Sequence, residues 1–207
     1  MLTFNNGGVN ILSKLRALDL AFAAMFVALM AIGANITSWA PFLQVAGVPL
    51  SMQPFFAILA GLLLGSRLGA LSMIVYTLVG VAGAPVFAGF KAGFSQLLSP
   101  TGGFIIAFII VAYVTGKIVE QVKTPKFGTF FTASTVGIIL TYVIGTTYMY
   151  LAINYWMHGN ISYAAAWKVM MWFAVKDIIF TIIGAVIAPR IYYAVRRSAY
   201  QNSRLAS

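Results

Sequence analysis

The chain has no cysteine, one histidine (His158) and only three acidic residues, Asp19, Glu120 and Asp177. Without cysteine it cannot form disulfides, zinc–thiolate sites or thiol nucleophiles. A single histidine and three dispersed carboxylates indicate neither a metal cluster nor a paired nucleophile and base. The Gly-rich sequence followed by Lys and Ser or Thr that binds ATP phosphates is also missing. These absences argue against an enzyme and predict no cofactor.

Charge is scarce, whereas hydrophobic residues are abundant. Of the 207 residues, 61% are hydrophobic and 8% are charged, against about 45–50% and about 25% in soluble domains. The apolar stretches are continuous and lack the alternating pattern of outer-membrane strands. The sequence therefore predicts an all-α polytopic membrane protein that forms a single integral membrane domain over residues 1–207.

Prolines, glycines and charged residues divide the apolar sequence into segments. These segments predict six transmembrane helices, near residues 13–37, 53–65, 67–83, 100–121, 129–157 and 165–196. Two long connections, 37–52 and 84–100, fall on the same side of the membrane. Loops of about 15 residues without regular structure are usually functional or disordered, and these two are too apolar to be disordered. We expect them to fold over the outer face of the helices as lids.

The net charge of +10 comes from 13 basic residues, which lie between the apolar segments rather than in one cluster. This dispersal does not indicate nucleic-acid binding. Lys and Arg concentrate in cytoplasmic loops. If both termini are cytoplasmic, only Lys91, Lys168 and Lys176 lie on the outer side. The pattern therefore predicts a multi-pass protein of the cytoplasmic membrane with both ends inside.

Asp177 lies next to Lys176 within the apolar run 169–187. A charge at the centre of a membrane helix costs about 2.5–3.5 kcal/mol on insertion scales, so such residues usually face a cavity, pair with each other or hold a polar ligand. A carboxylate only accepts hydrogen bonds and so suits a ligand with N–H donors, such as a urea or an amide. We predict that Asp177 anchors a ligand and that Lys176 is its counter-charge. A purely structural ion pair is the alternative.

The second long connection contains Phe87, Gly89, Phe90 and Lys91. Its glycines would let backbone amides approach a ligand, and Lys91 would offer a charge to a carboxylate. The same composition fits a simple turn between two helices. Composition alone leaves these two interpretations open.

The first predicted helix carries small residues at spacings of three and four, namely Ala17, Ala21, Ala24 and Ala28. Such a stripe lets helices approach closely in lipid, where packing drives association. It predicts a packing surface, either within the bundle or against a separate membrane subunit.

Four segments follow one another along the chain: VPLSMQ at 48–53, LAGLLLGSRLGA at 59–70, PVFAG at 85–89 and SPTGG at 99–103. In this order they resemble the BioY family, the biotin-specific S components of energy-coupling factor (ECF) transporters. The resemblance covers about residues 17–191, and the ordered set is more specific than any single segment.

This resemblance implies a biotin receptor in a bacterial or archaeal membrane. It would work with an ECF transmembrane coupling protein and two cytoplasmic ATPase subunits, docking through its Ala-rich first helix. The implied polar contacts of the ligand are Gln53, Tyr76, Lys91 and Asp177. Asp177 would accept the ureido N–H groups, a lysine would bind the valerate carboxylate, and Phe87 and Phe90 would cover the ring.

The sequence departs from the family in its last helix. The family pattern is Pro-Gly-Asp with a Lys three positions after the Asp, whereas Val175 and Lys176 precede Asp177 here and Phe180 takes the later position. Positions 176 and 180 are one helical turn apart and share a face. We therefore expect Lys176 to supply the missing ammonium. An S component for another vitamin, or a stand-alone secondary transporter with Asp177 as a proton site, remain the alternatives.

Overall fold

A computed structural model of the protein describes residues 17–38, 44–45 and 48–205. In these residues the helices are α1 (Ala17–Asn35), α2 (Gln53–Leu64), α3 (Ser66–Val81), α4 (Ser95–Leu98), α5 (Gly102–Glu120), α6 (Phe127–Leu151) and α7 (Tyr163–Leu205). A π-helical turn, Ala152–Trp156, extends α6. Between α1 and α2, the two-residue strands β1 (Gln44–Val45) and β2 (Val48–Pro49) pair antiparallel. The architecture is helical, as the sequence predicts.

Within the described residues, four helical segments are long and apolar enough to cross a membrane: Ala17–Asn35, Gly102–Glu120, Phe127–Trp156 and Tyr163–Ala194. The apolar helices α2 and α3 contain only 12 and 16 residues. At 1.5 Å per residue, α2 is about 18 Å long, less than the hydrocarbon core of about 30 Å. Membrane crossing by α2 and α3 therefore stays a prediction.

Some helix bounds differ from the sequence-based ones. The last helix passes Pro189 and continues to Leu205, beyond the expected end near residue 196. The short helix α4 lies inside the connection 84–100, which the sequence predicts as a loop. A helix need not end where its apolar pattern ends, because basic and small residues also support helical backbone. The expected start of the first helix, near residue 13, lies outside the described residues.

The helices α2, α3 and α6 all pack against α5, whereas α7 covers α6 and α2. On the other side of the bundle, α1 packs against α3 and α2. One apolar core is centred on α1, α2, α3 and α5, with Phe26, Met30, Met73 and Phe108. The other lies among α2, α5, α6 and α7, with Val111, Phe130, Phe173 and Tyr192. Of the helices described, α1 therefore lies at the edge of the bundle.

The two ends of the bundle differ, and we name them by their connections. The turn end holds Gly65, which joins α2 to α3, and residues 121–126, which join α5 to α6. The loop end holds the connections that follow α1, α3 and α6. At the turn end, Tyr193 of α7 donates a hydrogen bond to the carbonyl of Pro125 (2.9 Å). This contact shows that α7 runs antiparallel to α6, because the start of one helix meets the far part of the other.

Close helix contacts form the turn end. A Cβ on Gly61 would overlap the hydroxyl of Thr115, and one on Gly116 would overlap the backbone of Ser66. Glu120, at the end of α5, accepts hydrogen bonds from the N–H and the hydroxyl of Ser66, both 2.8 Å. The first N–H groups of a helix have no partner within it. Glu120 therefore caps α3 and ties it to α5.

Candidate ligand-binding site

A cavity of about 710 Å³, open mouth included, lies between α2, α5, α6, α7 and the connection that follows α3. Its lining is mostly apolar and includes Phe87, Phe104, Phe108 and Phe173. The polar residues in the lining are Ser51, Gln53, Gln96, Thr101, Tyr142, Lys176 and Asp177. Small-molecule sites typically combine apolar walls with a few placed polar groups. The lining of this cavity has that composition.

The charged part of the cavity is the pair Lys176 and Asp177. The side chain of Asp177 is 3% exposed, and its Oδ1 lies 2.6 Å from Nζ of Lys176. Its Oδ2 accepts a hydrogen bond from the hydroxyl of Tyr142 (2.6 Å). Lys176 also donates to the carbonyl of Ser51, just before α2. The two charges therefore compensate each other, and they also link α7 to α6 and to the start of α2.

This pair keeps hydrogen-bonding capacity for a ligand. An ammonium has three N–H donors and a carboxylate accepts about four hydrogen bonds. Among the described residues, Lys176 contacts Asp177 and Ser51, and Asp177 contacts Lys176 and Tyr142. One donor and further acceptor positions remain side by side at the cavity wall.

Gln53 lines the cavity at the start of α2, and Tyr76 of α3 lies behind it. The amide of Gln53 donates to the hydroxyl of Tyr76 (2.8 Å), which donates in turn to the carbonyl of Val86 (2.9 Å). Tyr76 is fully buried and is not part of the cavity lining. Through these two hydrogen bonds, Tyr76 positions the side chain of Gln53 and the connection after α3. Contact between Tyr76 and a ligand stays a prediction.

Phe87 holds the connection after α3 against the bundle. Its ring lies on Gly80 of α3, where a Cβ would overlap it, and packs edge-on against Tyr76 at 5.6 Å between centroids. Its N–H donates to the carbonyl of Lys91 (3.0 Å), which closes a tight turn. Phe87 is buried and lines the cavity, as does the neighbouring Ala88.

The rest of this turn, residues 89–91, is not part of the cavity lining. Gly89 and Phe90 both have positive φ, 76° and 55°, which is uncommon for a residue with a Cβ. The N–H of Phe90 donates to Oδ1 of Asn35, the last residue of α1 (2.6 Å). Phe90 and Lys91 are exposed. Neither they nor Gly89 line the cavity, so their contact with a ligand also stays a prediction.

The structure thus brings together four of the predicted contact residues, Gln53, Phe87, Lys176 and Asp177. The departure in the last helix also has a structural counterpart. Phe180 packs against Phe55 of α2, with ring centroids 6.1 Å apart, and does not line the cavity. The ammonium at this wall of the cavity comes from Lys176.

Tyr142 and Gln96 are among the lining residues that the sequence does not indicate. Tyr142 is one of 10 tyrosines and lies in an ordinary apolar run. Its importance depends on the pairing of α6 with α7, which no local pattern encodes. Gln96 belongs to α4, a helix of four residues without a periodic signal.

The alanine stripe of α1 faces away from the bundle. Ala17, Ala21, Ala24 and Ala28 are all exposed, whereas Phe26 and Met30 of the same helix are buried. The stripe is therefore a surface of small side chains among the described residues, and its use for docking stays a prediction.

Apolar helices around a mostly apolar cavity with a buried ion pair define a membrane protein that binds a small polar molecule. Residues 9–197 match the BioY family, and the chain belongs to this family. The resemblance drawn from the sequence is thereby confirmed.

Individual relatives agree with this membership. The chain is 55% identical over 189 residues to BioYB of Bacillus subtilis (strain 168), covering 91% of this chain and 94% of that protein. It is 32% identical over 170 residues to "Biotin transporter BioY" of Thermotoga maritima, covering 82% and 92%. The crystal structure of "the S-component for biotin from an ECF-type ABC transporter" has the same fold, with a TM-score of 0.73 at 23% identity over 91% and 94% of the two chains.

Proposed function

We propose that this chain is a biotin-binding membrane receptor subunit that mediates biotin uptake together with an ATP-driven coupling module. Membership of the BioY family and relatives that are named biotin transporters support this function. The observation that carries it is the cavity with its buried Lys176–Asp177 pair. The chain binds and delivers biotin rather than converting it, and it needs no cofactor.

The ion pair suits the ureido group of biotin. This group is neutral and presents N–H donors beside a carbonyl acceptor. Asp177 accepts from an N–H, while Lys176 donates its remaining N–H to the carbonyl. Tyr142 holds the other carboxylate oxygen and so fixes the direction of Asp177. A neutral ligand group leaves the two charges compensated, which avoids the large cost of an unpaired buried charge.

Aromatic side chains form the site for the bicyclic ring. Phe104 and Phe108 of α5 and Phe173 of α7 line the cavity with Phe87. Aromatic rings contribute large apolar areas, and burying such area is favourable. Gln53 offers a polar edge, held by Tyr76. Gly89, Phe90 and Lys91 act through the turn that presents Phe87.

In this proposal, six helices cross the membrane as a single domain. The helices α2 and α3 are the short members, and both termini are cytoplasmic. The turn end faces the cytoplasm, because Arg67, Lys117, Lys123 and Lys126 belong to it by their positions in α3, α5 and the α5–α6 connection. This placement follows the preference of basic residues for the cytoplasmic side. The loop end and the cavity then face outward, and the exposed apolar side chains face lipid.

The partners are the ECF transmembrane coupling protein and its two cytoplasmic ATPase subunits. The exposed face with Ala17, Ala21, Ala24 and Ala28 is the docking surface for the coupling protein. Small side chains let two helix backbones approach closely in lipid, where packing contacts drive association.

Titration calorimetry with the purified protein tests the ligand assignment. Biotin should bind tightly, riboflavin and thiamine should not, and Asp177→Ala should lose biotin binding. Tight binding of another vitamin by a folded protein would overturn the biotin assignment. Uptake assays in cells without the coupling ATPases test the transport class, since a stand-alone secondary transporter would still accumulate biotin there.

A further inference from the structure

The helix α1 contributes no residue to the described lining of the cavity, yet its loop end contacts two parts of the wall. The carbonyl of Gly33 accepts a hydrogen bond from the N–H of Met52 (2.7 Å), next to the lining residue Gln53. The side chain of Asn35, the last residue of α1, contacts the turn that carries Phe87. The end of α1 therefore lies directly behind residues that form the cavity.

The side chain of Asn35 is buried and reaches the turn on both sides of Phe87. Its Oδ1 accepts a hydrogen bond from the N–H of Phe90 (2.6 Å). Its Nδ2 lies 3.5 Å from the carbonyl oxygen of Val86 and donates to the carbonyl of Ala31, one turn earlier in α1 (3.0 Å). The amide of Asn35 thus joins α1 to the residues that flank a wall of the cavity.

The turn depends on such contacts because its backbone is unusual. Phe90 has a positive φ of 55°, a conformation that a residue with a Cβ keeps only where its surroundings hold it. The hydrogen bond from the N–H of Phe90 to Asn35 is one of these contacts. The ring of Phe87 has others, since it packs on Gly80 and Tyr76. Loss of Asn35 should therefore shift the turn without releasing Phe87 from the bundle.

A second asparagine, Asn154, has the same bonding pattern at a different place. Its Nδ2 donates to the carbonyls of Tyr150 (2.9 Å), four residues earlier, and of Ile161 (3.0 Å). Its Oδ1 accepts from the N–H of Ile161 (3.1 Å). Asn154 thus joins the end of a helix to the connection 157–162, which is not part of the cavity lining. The two asparagines make similar bonds, but only Asn35 holds a turn that forms the cavity wall.

We propose that Asn35 is a positioning residue for ligand binding, which acts by holding Phe87 against the bound molecule. This inference rests on the proposed function, in which Phe87 contacts the ring of biotin. The helix α1 thereby shapes a cavity that it does not line. The ion pair and the walls formed by α5, α6 and α7 do not depend on Asn35, so its loss should weaken biotin binding rather than abolish it.

The first test compares Asn35→Ala with Asn154→Ala by calorimetry with biotin and by thermal unfolding. A buried N–H without its acceptor disfavours the binding position of the turn about tenfold, and the affinity falls by the same factor. Asn35→Ala should therefore weaken biotin about tenfold, whereas Asn154→Ala should keep the unmodified affinity. Both variants should melt at lower temperature, since each loses the same kind of bonds. Equal changes of affinity in the two variants would overturn the proposal.

A second pair of variants serves if Asn35→Ala does not fold. Asn35→Asp keeps an acceptor for the N–H of Phe90 but places a charge beside the carbonyl of Val86, and Asn154→Asp makes the same change beside Ile161. Asn35→Asp should weaken biotin more than Asn154→Asp does. An equal affinity of these two variants would likewise contradict a positioning role.

A double-mutant cycle tests whether Asn35 acts through Phe87. Phe87→Leu removes the ring that the turn presents. Changes at independent sites add, whereas changes along one chain of contacts do not. Asn35→Ala should therefore weaken biotin much less in the Phe87→Leu chain than in the unmodified chain, and additive losses would overturn the proposed route. Failure of the unmodified protein to bind biotin would instead overturn the proposed function.

Discussion

Asp177 and Glu120 are the same chemical group in two different settings. Glu120 lies at the turn end, where the hydrogen bonds that it accepts from Ser66 complete the start of α3. Asp177 faces a cavity, and its neighbours are a lysine and a tyrosine hydroxyl. The first carboxylate completes a helix end, whereas the second keeps hydrogen-bonding capacity beside empty space. The space next to a carboxylate, rather than the group itself, distinguishes a cap from a binding site.

The surrounding packing differs in the same way. At the turn end, Gly61 and Gly116 bring α2, α3 and α5 into backbone contact. Around the cavity, α5 instead contributes the large side chains of Phe104 and Phe108 to the lining. The same helix α5 therefore closes the bundle with small residues at one end and lines a cavity with large ones toward the other.

The largest effect is expected from Asp177→Asn. This change keeps the shape of the side chain but removes its charge, which leaves the half-buried Lys176 without a counter-charge. The ligand N–H also loses a charged acceptor, and a hydrogen bond to a charged group contributes about 1.5–3 kcal/mol, so biotin affinity should fall about 100-fold in calorimetry. Glu120→Gln is the matched control and should keep the unmodified affinity. Equal losses in both variants would remove the distinction between the two carboxylates.

Gly61→Ala tests the close contact at the turn end. The new Cβ would overlap Thr115 and the carbonyl of Ala112, and overpacking costs about 1–3 kcal/mol. The melting temperature should fall by about 2–4 °C for each kcal/mol. Gly128→Ala is the control, because a Cβ there meets open space. If Gly61→Ala melted at the same temperature as Gly128→Ala, α2 and α5 could move apart at this contact without loss of stability.

Tyr142→Phe should weaken biotin about tenfold, because a hydrogen bond to a charged group contributes about 1.5–3 kcal/mol. The carboxylate loses its fixed direction while the apolar packing of the ring is retained. Fluorescence or calorimetric titration measures the change, with the exposed Tyr113→Phe as control. Unchanged affinity would show that Lys176 alone orients Asp177.

Glu120→Gln should have the smallest effect and should act on stability alone. Loss of charge at the start of α3 weakens its cap by about 1 kcal/mol, or about 2–4 °C in melting temperature. Thermal unfolding with and without biotin separates stability from binding. A change of biotin affinity in this variant would show that the turn end is energetically coupled to the cavity.

The sequence predicts the parts of this molecule that depend on local patterns. Apolar runs give the main helices, and a charged pair inside such a run identifies Lys176 and Asp177. The importance of Tyr142 depends on which helix lies opposite, and that of Gln96 depends on where α4 is anchored. The backbone of the turn before Lys91 is equally beyond a local pattern, because Phe90 has a positive φ of 55° although it carries a Cβ.

The π-helical turn at Ala152–Trp156 has a consequence for chain length. Its hydrogen bond from Met157 to the carbonyl of Ala152 spans one residue more than an α-helical bond. One residue corresponds to about 100° of helix rotation. The indole N–H of Trp156 donates to the carbonyl of Leu98 at the end of α4 (2.6 Å). Deletion of a single residue here would restore a regular helix but turn this indole away from Leu98. The hydrogen bond between Trp156 and α4 therefore depends on an inserted residue, so a gap of one position in this segment would mark relatives that lack this bond.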